Sequence, residues 1–239
     1  MKNYIVWTNC KIEERGAQFG IGAAGDPAVT AAYDRMFEIS RASARQNIRG
    51  RWEEIVLDET CESRVEMFQK NWTKIHDLWH AAPCNILYLD SDTITVKPVE
   101  MFGRFPDFRL FNWTDPPRNE FFDNYFNAAV RYYPSHMNPR VWAIGNELAA
   151  NWRLDIWDQE QLIFNKMLWE QAVSWEDAHH PELNWQAPTG RSLPELNAHS
   201  NFNTMPLGHA RIIHYHGSRD HLRGQYLAEG LAAAAGIAF

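Results

Sequence analysis

Residues 85–98, NILYLDSDTITVKP, set two carboxylates, Asp90 and Asp92, one residue apart at the end of an apolar run. Ile86, Leu87, Tyr88 and Leu89 read as a strand sunk in a core. Two like charges that close repel, and each resists leaving water. A bound cation answers both costs, because hard divalent ions prefer oxygen ligands. The plainer alternative is a solvated turn in which Asp90 or Asp92 bonds nearby backbone N–H groups.

A second candidate lies far downstream. RIIHYHGSR (211–219) puts His214 at the end of another apolar strand. Gly217 would let the backbone approach a phosphate, and Arg219 would supply charge. Its plain alternative is a surface histidine beside a turn. HDLWH (76–80) resembles a zinc-protease pair, with His76 and His80 on one helix face. Asp77 is shorter than the Glu that serves as base there, and no third ligand follows, so ordinary helix surface is expected. His179 and His180 fall in a polar loop and read as solvated. The eleven tryptophans suit sugar stacking or a core. Trp72, Trp79 and Trp142 sit at apolar helical positions and read as core.

These groups need elements to hold them. NYIVWTN (3–9) reads as a first strand, ending at Thr8 and Asn9. Asp26 and Pro27 open a helix to about residue 47. Residues 53–59 form a second strand. Val65, Phe68, Trp72, Ile75 and Trp79 give helical spacing over 63–81. The 85–90 strand follows. This β-α-β-α-β order implies parallel strands with helices packed on the sheet. Ligands in such sheets sit beyond the carboxyl ends of the strands, where Thr8, Asn9, Asp90 and Asp92 fall. Further on, 108–113 and 127–133 read as strands, 138–152 and 158–172 as helices, and 179–208 as a loop. A last strand covers 210–217, and an Ala-rich helix 222–235. No internal repeat and no dividing linker is apparent.

The chain has 239 residues, 45% hydrophobic and 22% charged, which suits one large globular domain. Its net charge of -7 and lack of a basic face argue against a nucleic-acid partner. Its three cysteines, Cys10, Cys61 and Cys84, form no CxxC pair, so a reducing compartment is expected. No signal peptide and no membrane-length apolar stretch is evident, so a cytoplasmic protein without a transmembrane segment is expected.

Taken in order, several segments resemble the glycogenin-like and bacterial galactosyltransferase-like family of GT-A glycosyltransferases (family eight). They are TKIHDLWHAAPCNILYLDSDTITVKPVEMFGR (73–104), YFNAAVRYYPS (125–135), DQEQLIFNKMLW (158–169) and ARIIHYHGSR (210–219). The resemblance covers most of residues 3–219. It implies an α/β fold: a single GT-A, Rossmann-like domain with a mixed, mostly parallel sheet flanked by helices. Its nucleotide-binding half would be about 1–104, its acceptor-side half about 105–219, and 220–239 an Ala-rich tail. It also implies a nucleotide-sugar donor, usually a UDP-sugar, with Mn²⁺ or Mg²⁺. Asp90, Asp92 and His214 match the family's metal ligands. Lys74 matches a donor-contacting basic residue and Asn127 a sugar-contacting asparagine. Thr8 and Asn9 match the region that meets the nucleotide. Asp158 and Gln159 match the pair near the anomeric carbon. The chain departs from the pattern at Ala128-Ala129, where the family has Ser-Gly. It departs again at Asp220, where the family has Lys, with Arg219 one place early.

The leading expectation is a hexosyltransferase acting with retention on an unknown glycan, lipid, protein or small-molecule acceptor. Cleaving a sugar–diphosphate bond leaves negative charge on the departing phosphate, which a metal clamp stabilises. Two alternatives stay open. One is a haloacid-dehalogenase-like phosphatase with Asp90 as nucleophile, although that motif normally lies on a first strand. The other is a nucleotide-sugar binding protein without turnover.

Overall fold

The computed structural model describes residues 1–12, 27–111, 126–151, 159–171, 180–187, 206–215 and 221–239. They fall in two compact units. One takes the described residues of Met1–Glu13, Gly50–Leu89 and Met101–His179. The other takes those of Glu14–Arg49, Asp90–Glu100 and His180–Phe239.

The first unit is built on a five-stranded sheet. Its strands are β1 (Lys2–Ile12), β2 (Glu53–Cys61), β3 (Cys84–Leu89), β5 (Arg109–Leu110) and β6 (Val130–Tyr133), in the order β2-β1-β3-β6-β5. β1 pairs in parallel with both β2 and β3, as the alternating pattern requires. β6 runs antiparallel to β3 and β5 antiparallel to β6, so four of the five strands point one way. The chain leaves β1 for β2 on one side and returns to β3 on the other. That reversal is a topological switch point, where ligands collect beyond the strand ends.

Helices α2 (Arg64–Ala81), α3 (Pro139–Ala150) and α4 (Gln159–Trp169) belong to this unit. Ser63 caps α2 by accepting the Glu66 N–H at 3.2 Å, while Glu66 reaches back to the Glu62 N–H. Asn138 caps α3 with Pro139 at its first position. The apolar stripe of α2 packs with one sheet face and with α3 and α4 around Val6, Ile86, Phe68, Trp72, Trp142 and Phe164. Trp72 and Trp142 are core as expected. Trp79 is partly buried, and its indole N–H donates to the Pro134 carbonyl.

The second unit holds α1 (Pro27–Asn47), α5 (His221–Ala234) and a three-stranded sheet in the order β4-β8-β7. Its strands are β4 (Thr93–Thr95), β7 (Trp185–Gln186) and β8 (Ile212–His214). β4 runs antiparallel to β8, and β7 parallel to it. Met36 and Ile39 of α1, Ile94, Trp185, Ile213 and Leu231 make its core.

Several boundaries differ from the sequence reading. Among the described residues of the strand expected over 210–217, strand covers 212–214, with residues 216 and 217 outside the described residues; of that expected over 127–133, strand covers 130–133. Of 108–113, Arg109–Leu110 pairs, with residues 112 and 113 outside the described residues. Within the expected loop 179–208, Pro181–Leu183 and Leu207–His209 form short 3-10 turns and Trp185–Gln186 is a strand. The cap assigned to Asp26 lies outside the described residues, as does His179.

Candidate metal centre

The segment after β3 forms a tight turn. The Asp90 carbonyl accepts the Thr93 N–H at 3.1 Å and the Thr93 hydroxyl at 2.7 Å. Thr93 thereby starts β4, and the register sets it opposite His214 of β8. This pairing, between residues remote in sequence, carries His214 to the turn. Its Nε2 lies 3.3 Å from Asp92 Oδ1. One ligand atom each from Asp90, Asp92 and His214 lies within 4.8 Å of the others. Asp92 and His214 are 4% and 6% exposed, and Asp90 is half-buried.

A carboxylate so deeply buried beside a second one costs free energy that a cation would offset. Ligands at about 2.2 Å from one ion stand at most roughly 4.4 Å apart, so the present spacing admits an ion with a shift of a few tenths of an ångström. Two carboxylates and one imidazole suit a borderline-hard divalent ion such as Mn²⁺. The residues present fit a metal.

Helix α1 grips this segment through polar side chains. Ser91 Oγ donates to the Tyr33 hydroxyl at 3.0 Å. Ser40 Oγ lies 3.4 Å from Thr93 Oγ1. Ser43 Oγ accepts the Thr95 N–H at 3.0 Å and donates to the Ser40 carbonyl at 2.7 Å. Asn47 Nδ2 donates to the Thr95 carbonyl at 2.7 Å. On the β8 side, the Tyr215 N–H donates to the Asp92 carbonyl at 3.1 Å. None of these supporting residues was singled out from sequence. A histidine at a strand end is visible there, but a hydroxyl on a helix looks like solvent-facing surface.

The other expected site residues stand as follows. β1 runs on to Ile12, so Thr8 and Asn9 lie inside that strand and not at its end, just past its last pairing with β3 at Trp7; Thr8 is buried and accepts the Tyr88 hydroxyl at 2.9 Å. Asn9 donates from Nδ2 to Asp58 at 3.2 Å, and its Oδ1 is buried with no hydrogen-bond partner among the described residues. Lys74 on α2 forms an ion pair with Glu59 of β2, which also pairs with Lys70. Asn127 is buried, and its Oδ1 accepts the Ala129 N–H at 2.9 Å, a local turn closure. Gln159 opens α4, and the structure describes its backbone only. Asp158, Gly217 and Arg219 lie outside the described residues.

The HDLWH pair is helix surface with a local role. The His76 and His80 ring centroids are 4.2 Å apart, and His76 Nε2 lies 3.3 Å from the Asn146 amide. Both rings pack near Trp142. Of the cysteines, Cys61 and Cys84 are free and buried, and burial pushes the Cys84 thiol up to about 11. Among the described residues no helix is long and apolar enough to cross a membrane.

No protein-family model matches the chain, and no curated protein does. Solved structures resemble it. A glycosyltransferase involved in glycosylating the major capsid of PBCV-1 shares 14% identity at a TM-score of 0.49, over 96% of this chain and 100% of that one. The galactosyltransferase LgtC, solved with donor and acceptor sugar analogues, shares 17% at 0.47, over 98% and 95%. The glycosyltransferase GlyE of Streptococcus pneumoniae TIGR4 shares 12% at 0.47, over 100% of this chain and 64% of that one. Each is a glycosyltransferase to which this chain is similar at low identity.

Proposed function

We propose that this protein is a metal-dependent glycosyltransferase that moves a sugar from a nucleotide-sugar donor, of the UDP class, to an acceptor hydroxyl. The observation that carries the reading is the convergence of Asp90, Asp92 and His214 within 4.8 Å at the turn that follows β3. The ordered sequence resemblance supports it. A divalent ion held there supplies positive charge to the diphosphate as it departs.

The chain's own residues take the remaining tasks. Asn9 offers a side-chain carbonyl oxygen from within β1, past its pairing with β3, and is assigned to an N–H of a nucleobase. Thr8 and Asn127 are assigned to the donor with it, Lys74 to donor charge, and Gly217 and Arg219 to the diphosphate. Lys74 reaches an anion only if Glu59 yields it. Asp158 and Gln159 are assigned to the sugar, stabilising positive charge as it becomes oxocarbenium-like. Transfer with retention fits this set, since no separate carboxylate is assigned as a base for the acceptor. Product NMR from an α-linked donor tests it, and a β-linked product would return Asp158 to the role of general base.

The test is a panel of UDP-, GDP- and ADP-sugars with Mn²⁺, read by thermal shift and by slow donor hydrolysis. UDP-sugars should stabilise the protein and be hydrolysed only with the ion. Asp92→Asn should lower turnover at least about 100-fold, in line with loss of a group that holds a catalytic ion. Full activity in excess EDTA would sink the reading. A phosphoaspartate trapped at Asp90 would replace it with a phosphatase.

A further inference from the structure

Three hydroxyls belong to the turn or to residues bonded to it, and none is a candidate ligand: those of Ser91, Tyr33 and Tyr215. Ser91 stands between the two carboxylates in sequence, is 8% exposed, and is tied to Tyr33 of α1 at 3.0 Å. Having given its proton to Tyr33, Ser91 fixes the turn at its midpoint. Tyr215 follows His214 and joins Asp92 through its backbone N–H. Its ring belongs to the core with Met36, Ile94 and Ile213, and its hydroxyl is buried with no hydrogen-bond partner among the described residues.

A phenylalanine would pack at position 215 without burying a hydroxyl. Leaving that hydroxyl unused costs about 1–3 kcal/mol. The Tyr215 backbone already meets Asp92, so the Asp92 carboxylate is the acceptor assigned to this hydroxyl, and carboxylates that ligate ions are commonly held by such outer hydrogen bonds.

We propose that Tyr33 and Tyr215 are positioning residues of the Asp90–Asp92–His214 centre, Tyr33 acting through Ser91 and Tyr215 through Asp92, and that together they set its affinity for a divalent cation. This rests on the metal reading above. Neither tyrosine touches donor or acceptor in this assignment. Each restrains a carboxylate-bearing segment so that the ligands are arranged before the ion arrives.

The test uses the full chain and Mn²⁺ alone, with binding followed by loss of the free-ion EPR signal and by calorimetry. Tyr33→Phe, Tyr215→Phe and Ser91→Ala should each weaken Mn²⁺ binding about tenfold, the lower end for outer-sphere partners. Thermal stability in EDTA should be little changed for Tyr33→Phe and Tyr215→Phe, because both rings remain. The Tyr33→Phe/Ser91→Ala double variant should be no worse than either single one, since one bond is lost in all three cases. Wild-type Mn²⁺ binding with unchanged affinity in the two phenylalanine variants would overturn this inference alone. Additive losses in the double variant would overturn the route through Ser91. Failure of the unmodified chain to bind Mn²⁺ would overturn the metal reading and this inference with it.

Discussion

The two units bury their interiors in different ways. The first stacks rings: Trp72 lies 5.2 Å from Trp142 between ring centroids, Phe164 6.0 Å from Trp72, and Tyr133 5.5 Å from Trp142 at a near-parallel 9°. Arg131 sits among them, its guanidinium 3.6 Å from the Tyr88 ring centroid and 4.2 Å from that of Phe164. The second unit also has an apolar core, but the segment that bears the carboxylates is fixed by directional bonds from Ser43, Asn47 and Tyr33. Ring packing stabilises in proportion to the area buried and tolerates small shifts. Hydrogen bonds specify atom positions, which is what three ligands around one ion require. The aromatic unit should therefore answer to volume, and the polar segment to single atoms.

The largest effect is expected from removing volume. Phe164 is 2% exposed and touches Phe68, Trp72, Phe108 and the Arg131 guanidinium. Phe164→Ala should cost about 3–5 kcal/mol by chemical denaturation, transfer and cavity costs combined. A loss below about 1 kcal/mol would show that this core collapses around the gap and is not closely packed.

Adding volume should cost less. Gly145 lies inside α3, where Ala would ordinarily gain about 1 kcal/mol of helix propensity. A Cβ at Gly145 would stand 2.2 Å from the Trp72 ring and 2.9 Å from Met167 Sδ. Trp72 cannot yield easily, since its N–H is bonded to Asn146 at 2.7 Å and its ring is flanked by Phe68 and Trp142. Gly145→Ala should therefore destabilise by about 1–3 kcal/mol, against the propensity trend. A stabilised Gly145→Ala protein would show that the indole moves freely.

The same contrast explains what the sequence disclosed. Apolar runs disclosed β1, β2 and β3, and helical spacing disclosed α2, because burial leaves a periodic trace. Asp90, Asp92 and His214 were legible because charged or titratable groups at the ends of apolar strands are unusual. β4 and β7 were not, since two or three residues carry no period, and Trp185 sits among polar neighbours although it is fully buried. The α1 bonds were hidden for another reason. Ser43 and Asn47 meet partners 52 and 48 residues away, and only the fold supplies the match. The Glu59 partner of Lys74 was missed likewise, because β2 and α2 are brought together by packing.

The smallest effects separate neighbouring hydroxyls on one helix face. Ser43 provides the acceptor for the buried Thr95 N–H and donates its own proton to the Ser40 carbonyl. Ser43→Ala removes both bonds and leaves that N–H short of an acceptor, so a loss of about 1–3 kcal/mol is expected. Ser40 is as deeply buried, at 1% exposure, but its contact with Thr93 Oγ1 is long, at 3.4 Å. Thr93 has already committed its single hydroxyl proton to the Asp90 carbonyl at 2.7 Å. Ser40 is then the donor in that contact, and its removal costs Thr93 one long accepted bond. Ala in a helix interior recovers about 0.5 kcal/mol of propensity relative to Ser. The propensity gain offsets part of the loss, so Ser40→Ala should cost less than Ser43→Ala in urea titrations. A loss equal to that of Ser43→Ala would mean that the Ser40 hydroxyl holds the turn as firmly as Ser43 does, and that the length of a bond is a poor guide to its weight in this segment.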